Sequence, residues 1–562
     1  MSVSATLFTS FNASVDAYSL PTRFTYPFYY TPHPLSLVAV EQLQQHLKTQ
    51  TDWQHDFGLE ADSANAIGKM FGVLVVENEQ GELGYLSAFS GKMAEKNHLP
   101  KFVPPVFDML DEQGFFIKDL NVINQVSEQI KQLELNPQIG IFEQALNKQM
   151  QAGDAAISAH RAIMIEGRKT RKQQRAEAEN KLDEQAFNEL KIQLSTQSIK
   201  HKNKLRDLSL YWNEHIAKFS EQLSVLTDEI TALKNQRKTL SASLQQKLFD
   251  HYVFLNQAGD EKNLSDIFKQ TTQLIPPAGA GECAAPKLLH YAFLHQLKPI
   301  ALAEFWWGNS PTSQIRQHLN FYAACQGKCQ PILTHMLQGI KLDENPLLIN
   351  PAEGKSLDIV YQDEMMVIIN KPAEFLSVPG KNIDDSVYSR MKLAFPQATG
   401  PLIVHRLDMS TSGLMVIALN KDANKNLQQQ FINRTVEKRY VALLDGEVTG
   451  TEGMIKLPLR VDLDDRPRQL VCYDYGRLAE TKWQLIEKKN KQSKVYFYPK
   501  TGRTHQLRVH AAHSLGLNMP IVGDDLYGHK NKADRLHLHA ETLTVTHPVT
   551  KETMHFQVDA EF

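Results

Sequence analysis

The chain has 562 residues and a hydrophobic content of 42 %, enough for two or more domains with ordinary packed cores. Lys and Arg number 61 against 63 Asp and Glu, a formal net charge of -2, which excludes a global polybasic signature and leaves any nucleic-acid site to a local patch. Four cysteines exclude a disulfide framework; no apolar run reaches spanning length and no Lys or Arg precedes Arg23, so the expected location is the cytoplasm, with no signal peptide and no membrane partner.

Residues 1–135 read as a small mixed α/β domain. Gly72-Val73-Leu74-Val75-Val76 and Gly84-Tyr85-Leu86-Ser87-Ala88-Phe89 flank a polar, Gly-bearing turn, the pattern of a β-hairpin. Pro104-Pro105 marks a connector within 100–107, and no catalytic constellation is visible here.

Residues 136–260 read as helical. No proline falls between Pro137 and Pro276, and Gln, Glu, Lys, Ala and Leu dominate. Leu223, Leu226, Ile230, Leu233, Leu240 and Leu244 step by three and four, as a coiled-coil seam does. One helix of this length would be roughly 200 Å long at about 1.5 Å per residue, so two long helices folded back, with a break near 190–205, are expected. Self-association through the seam is the competing reading. Arg168-Lys169-Thr170-Arg171-Lys172-Gln173-Gln174-Arg175 and the set Lys200, Lys202, Lys204 and Arg206 are either solvated faces or an arm that tracks phosphates.

Residues 261–345 read as a small Cys-containing globular segment and linker. Cys283, Cys325 and Cys329 lie near His290, His318 and His335 in sequence, a set that could supply zinc thiolates. The spacing departs from short-knuckle pairs, and free cysteines are often simply buried. Trp306 and Trp307 are expected in packing.

Residues 346–562 read as one α+β domain. Strands are expected at 357–361, 365–370, 414–419, 436–444, 481–486, 494–498 and 542–547, with helices at 421–431 and 504–515. The organising stretch is His405-Arg406-Leu407-Asp408-Met409-Ser410-Thr411-Ser412-Gly413, a polar turn that sets an acid and a guanidinium two positions apart just before an apolar strand. Standing alone, Asp408 would read as a turn cap.

That stretch resembles the signature of the RluA-type RNA pseudouridine synthases. Asn370-Lys371-Pro372, Lys438-Arg439-Tyr440, Gly502-Arg503-Thr504-His505-Gln506-Leu507-Arg508-Val509-His510 and Pro520-Ile521-Val522-Gly523-Asp524 fit the same family pattern. The likeness covers roughly 350–562 and departs from the family at Glu374, near which a glycine is usual. It implies a mixed, mostly antiparallel sheet with flanking helices and a central cleft. The implied activity is isomerisation of uridine to pseudouridine in structured RNA, with no cofactor and no metal. The implied catalytic set is Asp408 as the essential carboxylate, Tyr440 stacked on the uracil and Arg503 paired with the Asp. Arg406 is expected on the flipped nucleotide, and His405, Lys371, Lys438, Arg439, Arg508 and His510 are RNA-binding candidates, His405 chiefly as a support of the turn. Implied targets are a loop uridine in 23S rRNA and a uridine in the tRNA anticodon arm. Two other classes stay open: an RNA-binding ribosome-assembly factor whose isomerase activity is secondary, and a coiled-coil scaffold fused to a degenerate domain.

Overall fold

The computed structural model describes residues 7–59, 66–463, 465–529 and 532–562. The chain divides into two units: Met1–Asp108 with Phe249–Phe562, and Met109–Leu248. No helix among the described residues is long and apolar enough to cross a membrane.

The first unit begins with a four-stranded antiparallel sheet. Strands β2 (Lys69–Glu77) and β3 (Leu83–Phe89) form the expected hairpin, β1 (Thr9–Ser10) adds to β3, and β6 (Lys298–Trp307) adds to the other edge of β2. Phe71, Val73 and Val75 of β2 face helix α1 (Pro34–Thr49), which contributes Leu35, Leu43 and Leu47 to one core. Helix α6 (Ala284–Leu294) closes on the other face, where a Cβ on Gly72 would lie 2.9 Å from the Ala284 Cβ. The pairing of β6 with β2 corrects the expectation of a separate piece over 261–345: a partner some 220 positions away in the chain decides it, and such long-range pairing leaves no local trace. The short hairpin β4 (Val253–Leu255) and β5 (Glu261–Asn263) and helices α5 (Leu264–Lys269) and α7 (Cys329–Met336) complete this part. Trp307 is 2 % exposed in the core, and the Trp306 indole donates to Asn309 O at 3.1 Å.

The second unit consists of α2 (Phe115–Glu134), α3 (Pro137–Glu179) and α4 (Glu184–His251), the last running into the first unit. Helices α3 and α4 fold back on each other. His160 bonds His201 O at 3.0 Å, and Gly153 packs on Trp212. The break falls at 180–183, not near 190–205. Asn180 ends α3, and Asp183 Oδ1 accepts the Ala186 N–H at 2.9 Å, capping α4. Part of the leucine seam, Ile230, Leu233 and Leu240 of α4, packs on Val126 and Ile130 of α2.

The C-terminal part of the first unit is a ten-stranded sheet. Its strands are β7 (Asp358–Gln362), β8 (Met366–Lys371), β9 (Ser412–Ala418), β10 (Glu437–Leu444), β11 (Glu452–Val461), β12 (Gln469–Val471), β13 (Arg477–Lys489), β14 (Gln492–Pro499), β15 (Leu538–Thr546) and β16 (Thr553–Gln557). They lie in the order β12-β11-β13-β14-β10-β15-β9-β8-β7, with β16 on β15. Every pairing is antiparallel except β9 with β15. Helices α8 (Val387–Ala394), α9 (Lys421–Ile432) and α10 (Gln506–Ala512) flank the sheet. Gly413 makes the parallel pairing possible. It holds φ 114°, and a Cβ there would lie 2.4 Å from Ala540 O. Glu374 takes φ 53°, the left-handed geometry a glycine would favour.

Segment 308–324 joins the two sheets of this unit. Ile315 enters the core of the large sheet, Arg316 pairs with Asp465 at 2.9 Å, and Ser313 O accepts the Val471 N–H at 3.0 Å.

Candidate active site

A cleft of about 1690 Å³ opens between the loop 403–411, β10 and the turn 499–508. Asp408, Tyr440 and Arg503 all line it. Each comes from a different element, so their meeting is a product of the sheet order and not of sequence proximity.

The backbone is pinned on both sides of Asp408. Ser377 Oγ donates to Leu407 O at 2.6 Å and accepts the Leu407 N–H at 3.2 Å. On the other side, Met409 O accepts from Lys371 Nζ at 3.0 Å and from the Phe375 N–H at 3.0 Å. The Thr411 N–H closes the turn onto Asp408 O at 3.1 Å. The carboxylate therefore projects from a loop with little freedom to move. Ser377 thus holds the backbone one residue before Asp408 through its hydroxyl, a contact that residue type alone does not reveal.

Tyr440 sits where the β10–β15 register shifts, between Arg439 and Tyr440. Such a bulge re-aims a side chain. Burial raises the phenol's pKa, and the charge of Asp408 raises it further; the hydroxyl is neutral, with Asp408 close enough to be felt. Arg503 is exposed at the mouth of the cleft, its Nε donating to Leu478 O at 3.3 Å. Among the described residues no ion pair within 4.0 Å joins Arg503 to Asp408, so the expected pair is open here. The turn bearing Arg503 is fixed by Gln506, whose Oε1 accepts the Arg503 N–H at 3.0 Å while its Nε2 donates to Glu480 O at 2.9 Å.

Four of the expected phosphate contacts have partners within the fold. Lys371 is 0 % exposed, and its Nζ donates to the carbonyls of Pro372, Phe375 and Met409 at 2.9, 2.8 and 3.0 Å. Burial pushes its pKa down to about 7, against the pull of Glu374 and Asp408. Arg508 is 2 % exposed and bonds Asp524 at 2.9 and 2.5 Å and Asp525 at 2.8 Å. His510 is buried, with Nδ1 on Thr481 Oγ1 at 2.9 Å. Arg439 lines the cleft but is held by Glu541 at 2.6 Å, with its guanidinium 4.4 Å from the Tyr496 ring centroid. Glu541, Asp524 and Thr481 lie 16 or more positions from the residues they hold, whereas two of the three carbonyls on Lys371 are local.

The remaining candidates stay on the cleft. Arg406 is exposed there. Lys438 lies 5.6 Å from the Phe431 ring centroid and also lines the cleft. His405 supports the turn: Nε2 accepts the Val416 N–H at 3.1 Å, the ring stacks on Phe431 at 4.5 Å, and burial pushes its pKa down to about 3. A further residue at the cleft is His505. It has φ 52° at the start of α10, its Nδ1 meets the Tyr527 hydroxyl at 2.9 Å, and it feels the charge of Asp408.

A family profile described as RNA pseudouridylate synthase matches residues 365–513. The chain is 44 % identical over 219 residues to the dual-specificity RNA pseudouridine synthase RluA of Salmonella typhi, a match covering 38 % of this chain and 97 % of that relative. The RluA of Escherichia coli strain K12 is 43 % identical over 219 residues, with 38 % and 97 % covered. Among solved structures, Human RNA Pseudouridylate Synthase Domain Containing 1 aligns with a TM-score of 0.33 at 28 % identity, covering 38 % of this chain and 87 % of that one. Matched over nearly the whole length of such relatives, the chain belongs to the RluA-type RNA pseudouridine synthases, isomerases that act on RNA, and it carries a long N-terminal extension ahead of the synthase domain.

Proposed function

We propose that this cleft isomerises an everted loop uridine in 23S rRNA and a second uridine in the tRNA anticodon arm, with Asp408 as the essential carboxylate. The reaction breaks the C1′–N1 bond, turns the uracil and forms a C1′–C5 bond; C5 loses a proton and N1 gains one, with no net oxidation or hydrolysis. One observation carries the assignment of Asp408. Of the carboxylates lining the cleft, Asp408 and Glu437, only Asp408 is partly buried on a loop pinned at both flanks, while Glu437 is exposed. Tyr440 offers a flat apolar face to retain the detached base as it turns. Arg503 and Arg406 at the mouth suit the backbone of a flipped nucleotide, since a guanidinium is permanently charged and planar. Extruding a stacked uridine costs a few kcal/mol, and these contacts offset it. The dual specificity named for the relatives supports two RNA targets.

The test is pseudouridine mapping of total RNA from cells with the wild-type chain, with no chain, and with Asp408→Asn. Loss of the same rRNA and tRNA positions in the last two is expected, with the variant melting as the wild type does. A growth phenotype that the Asn variant fully rescues while the modification stays absent would instead favour the ribosome-assembly reading.

A further inference from the structure

The three cysteines outside the cleft converge in the fold. The Sγ atoms of Cys283, Cys325 and Cys329 all lie within 4.8 Å of one another, and Cys325 Sγ is 3.4 Å from Cys329 Sγ. They come from three places: the residue before α6, the loop after β6, and the first residue of α7. Four sulfurs around a zinc ion at about 2.3 Å stand roughly 3.8 Å apart, so these separations need only small shifts to close on one ion. Cys329 is 1 % exposed. The histidines near them in sequence do not join. His290 Nδ1 accepts the Leu255 N–H at 3.4 Å, His318 Nδ1 accepts the Gly308 N–H at 3.0 Å, and His335 bonds Phe254 O at 3.0 Å.

A second observation also points to a cation. Glu304 on β6 is 4 % exposed, accepts one backbone N–H, from Ala285 at 3.2 Å, and has no cationic side chain within 4.0 Å among the described residues. Burial, with the charge of Cys325 adding to it, pushes its carboxyl up to about 8, so without a cation beside it the group is held largely protonated. A buried carboxylate without a counter-ion is costly, and a divalent ion at the neighbouring sulfurs would supply one.

We propose that Cys283, Cys325 and Cys329 bind one zinc ion, with an oxygen donor in the fourth place. Glu304 is the candidate for that donor: its carboxylate stands outside the 4.8 Å group of the three sulfurs and would reach the ion by a side-chain shift, and three thiolates plus a carboxylate would carry the same total charge as the four thiolates of a common structural zinc site. The thiol protons leave as the metal binds. The ion would tie α6, α7 and the end of segment 308–324, the segment that reaches the synthase sheet through Ile315 and Arg316. Its part is structural: it anchors that join and takes no share in the isomerisation.

The full chain, purified under reducing conditions without chelator and supplied with zinc, is expected to hold about one zinc per chain. Of its four cysteines only Cys472 lies outside the cluster. A thiol reagent should therefore titrate one thiol in the loaded native protein and four after a chelator strips the metal. Cobalt in place of zinc should give a thiolate-to-metal charge-transfer band. Cys325→Ser should lose the metal and Cys472→Ser should keep it. The proposal is overturned if the reduced, zinc-supplied wild type holds only traces of metal, or if Cys325→Ser and wild type hold equal amounts. It is also overturned if mass spectrometry finds a Cys325–Cys329 disulfide and the protein, once reduced, takes up no zinc. Should Cys325→Ser fail to fold, the wild-type thiol count and cobalt spectrum decide by themselves.

Discussion

Lys371→Met separates a buried clamp from an RNA-binding role. An ammonium has three donors, and three carbonyls, those of Pro372, Phe375 and Met409, receive them at 2.9, 2.8 and 3.0 Å. Methionine fills a similar volume but bonds none of them. Each buried acceptor left bare costs about 1–3 kcal/mol; with partial relaxation, and with an unpaired cation no longer buried, a net loss of about 3–5 kcal/mol is expected. At about 2–4 °C per kcal/mol for a domain of this size, the synthase transition should fall by roughly 10 °C. Release of Met409 O also frees the loop beside Asp408, and a displacement of about 1 Å there can cost on the order of 100-fold in turnover. Thermal melts of the full chain and single-turnover pseudouridine formation at permissive temperature read both effects. A salt titration of RNA affinity reads the opposing one. Removing a cation that neutralises one phosphate would lower the slope of log affinity against log salt by about 0.7–0.9. An unchanged melt with a reduced slope would refute the clamp.

Stability should fall as pH drops from 6.5 towards about 4. Burial holds His505 and His510 down to about 4, from 6.5 in the unfolded chain. The unfolded state therefore takes up protons in this window that the folded state refuses, so the contribution is whole above pH 6.5 and shrinks below it, by about 1.4 kcal/mol per unit for each group. Burial holds His290 and His405 down to about 4 and about 3 as well. Denaturant unfolding at pH 7.5, 6 and 5 measures the combined slope, and His510→Asn should flatten it by one group's share, about 1.4 kcal/mol per unit; an equal slope in the variant would remove His510 from the account. On the helical unit, replacing Arg168, Lys169, Arg171, Lys172 and Arg175 by Gln in the full chain tests the phosphate-tracking arm. If the arm binds RNA, the salt slope falls by about 0.7–0.9 for each phosphate no longer neutralised, whereas an unaltered slope leaves these residues as a solvated face.

The sequence by itself determined the local elements and the chemistry they carry. Apolar runs at 72–76 and 84–89 around a Gly-bearing polar turn marked β2 and β3, and the apolar runs ending near Asn370 and Ala418 marked β8 and β9, because such runs and turn residues are properties of neighbouring residues. The ordered motif blocks likewise named Asp408, Tyr440 and Arg503, which now line one cleft. Tertiary structure alone decided which cations are free. Arg508 and Arg406 are the same residue type in comparable motifs, yet Asp524 and Asp525 enclose the first while the second meets solvent. It also moved the helix break to 180–183, where Asp183 caps α4, and brought β6 across to β2. Cys283, Cys325 and Cys329, far apart along the chain, came together for the same reason. Burial and pairing depend on distances in space, and in a chain whose sheets join strands hundreds of residues apart those distances are set by strand order, which no local pattern encodes.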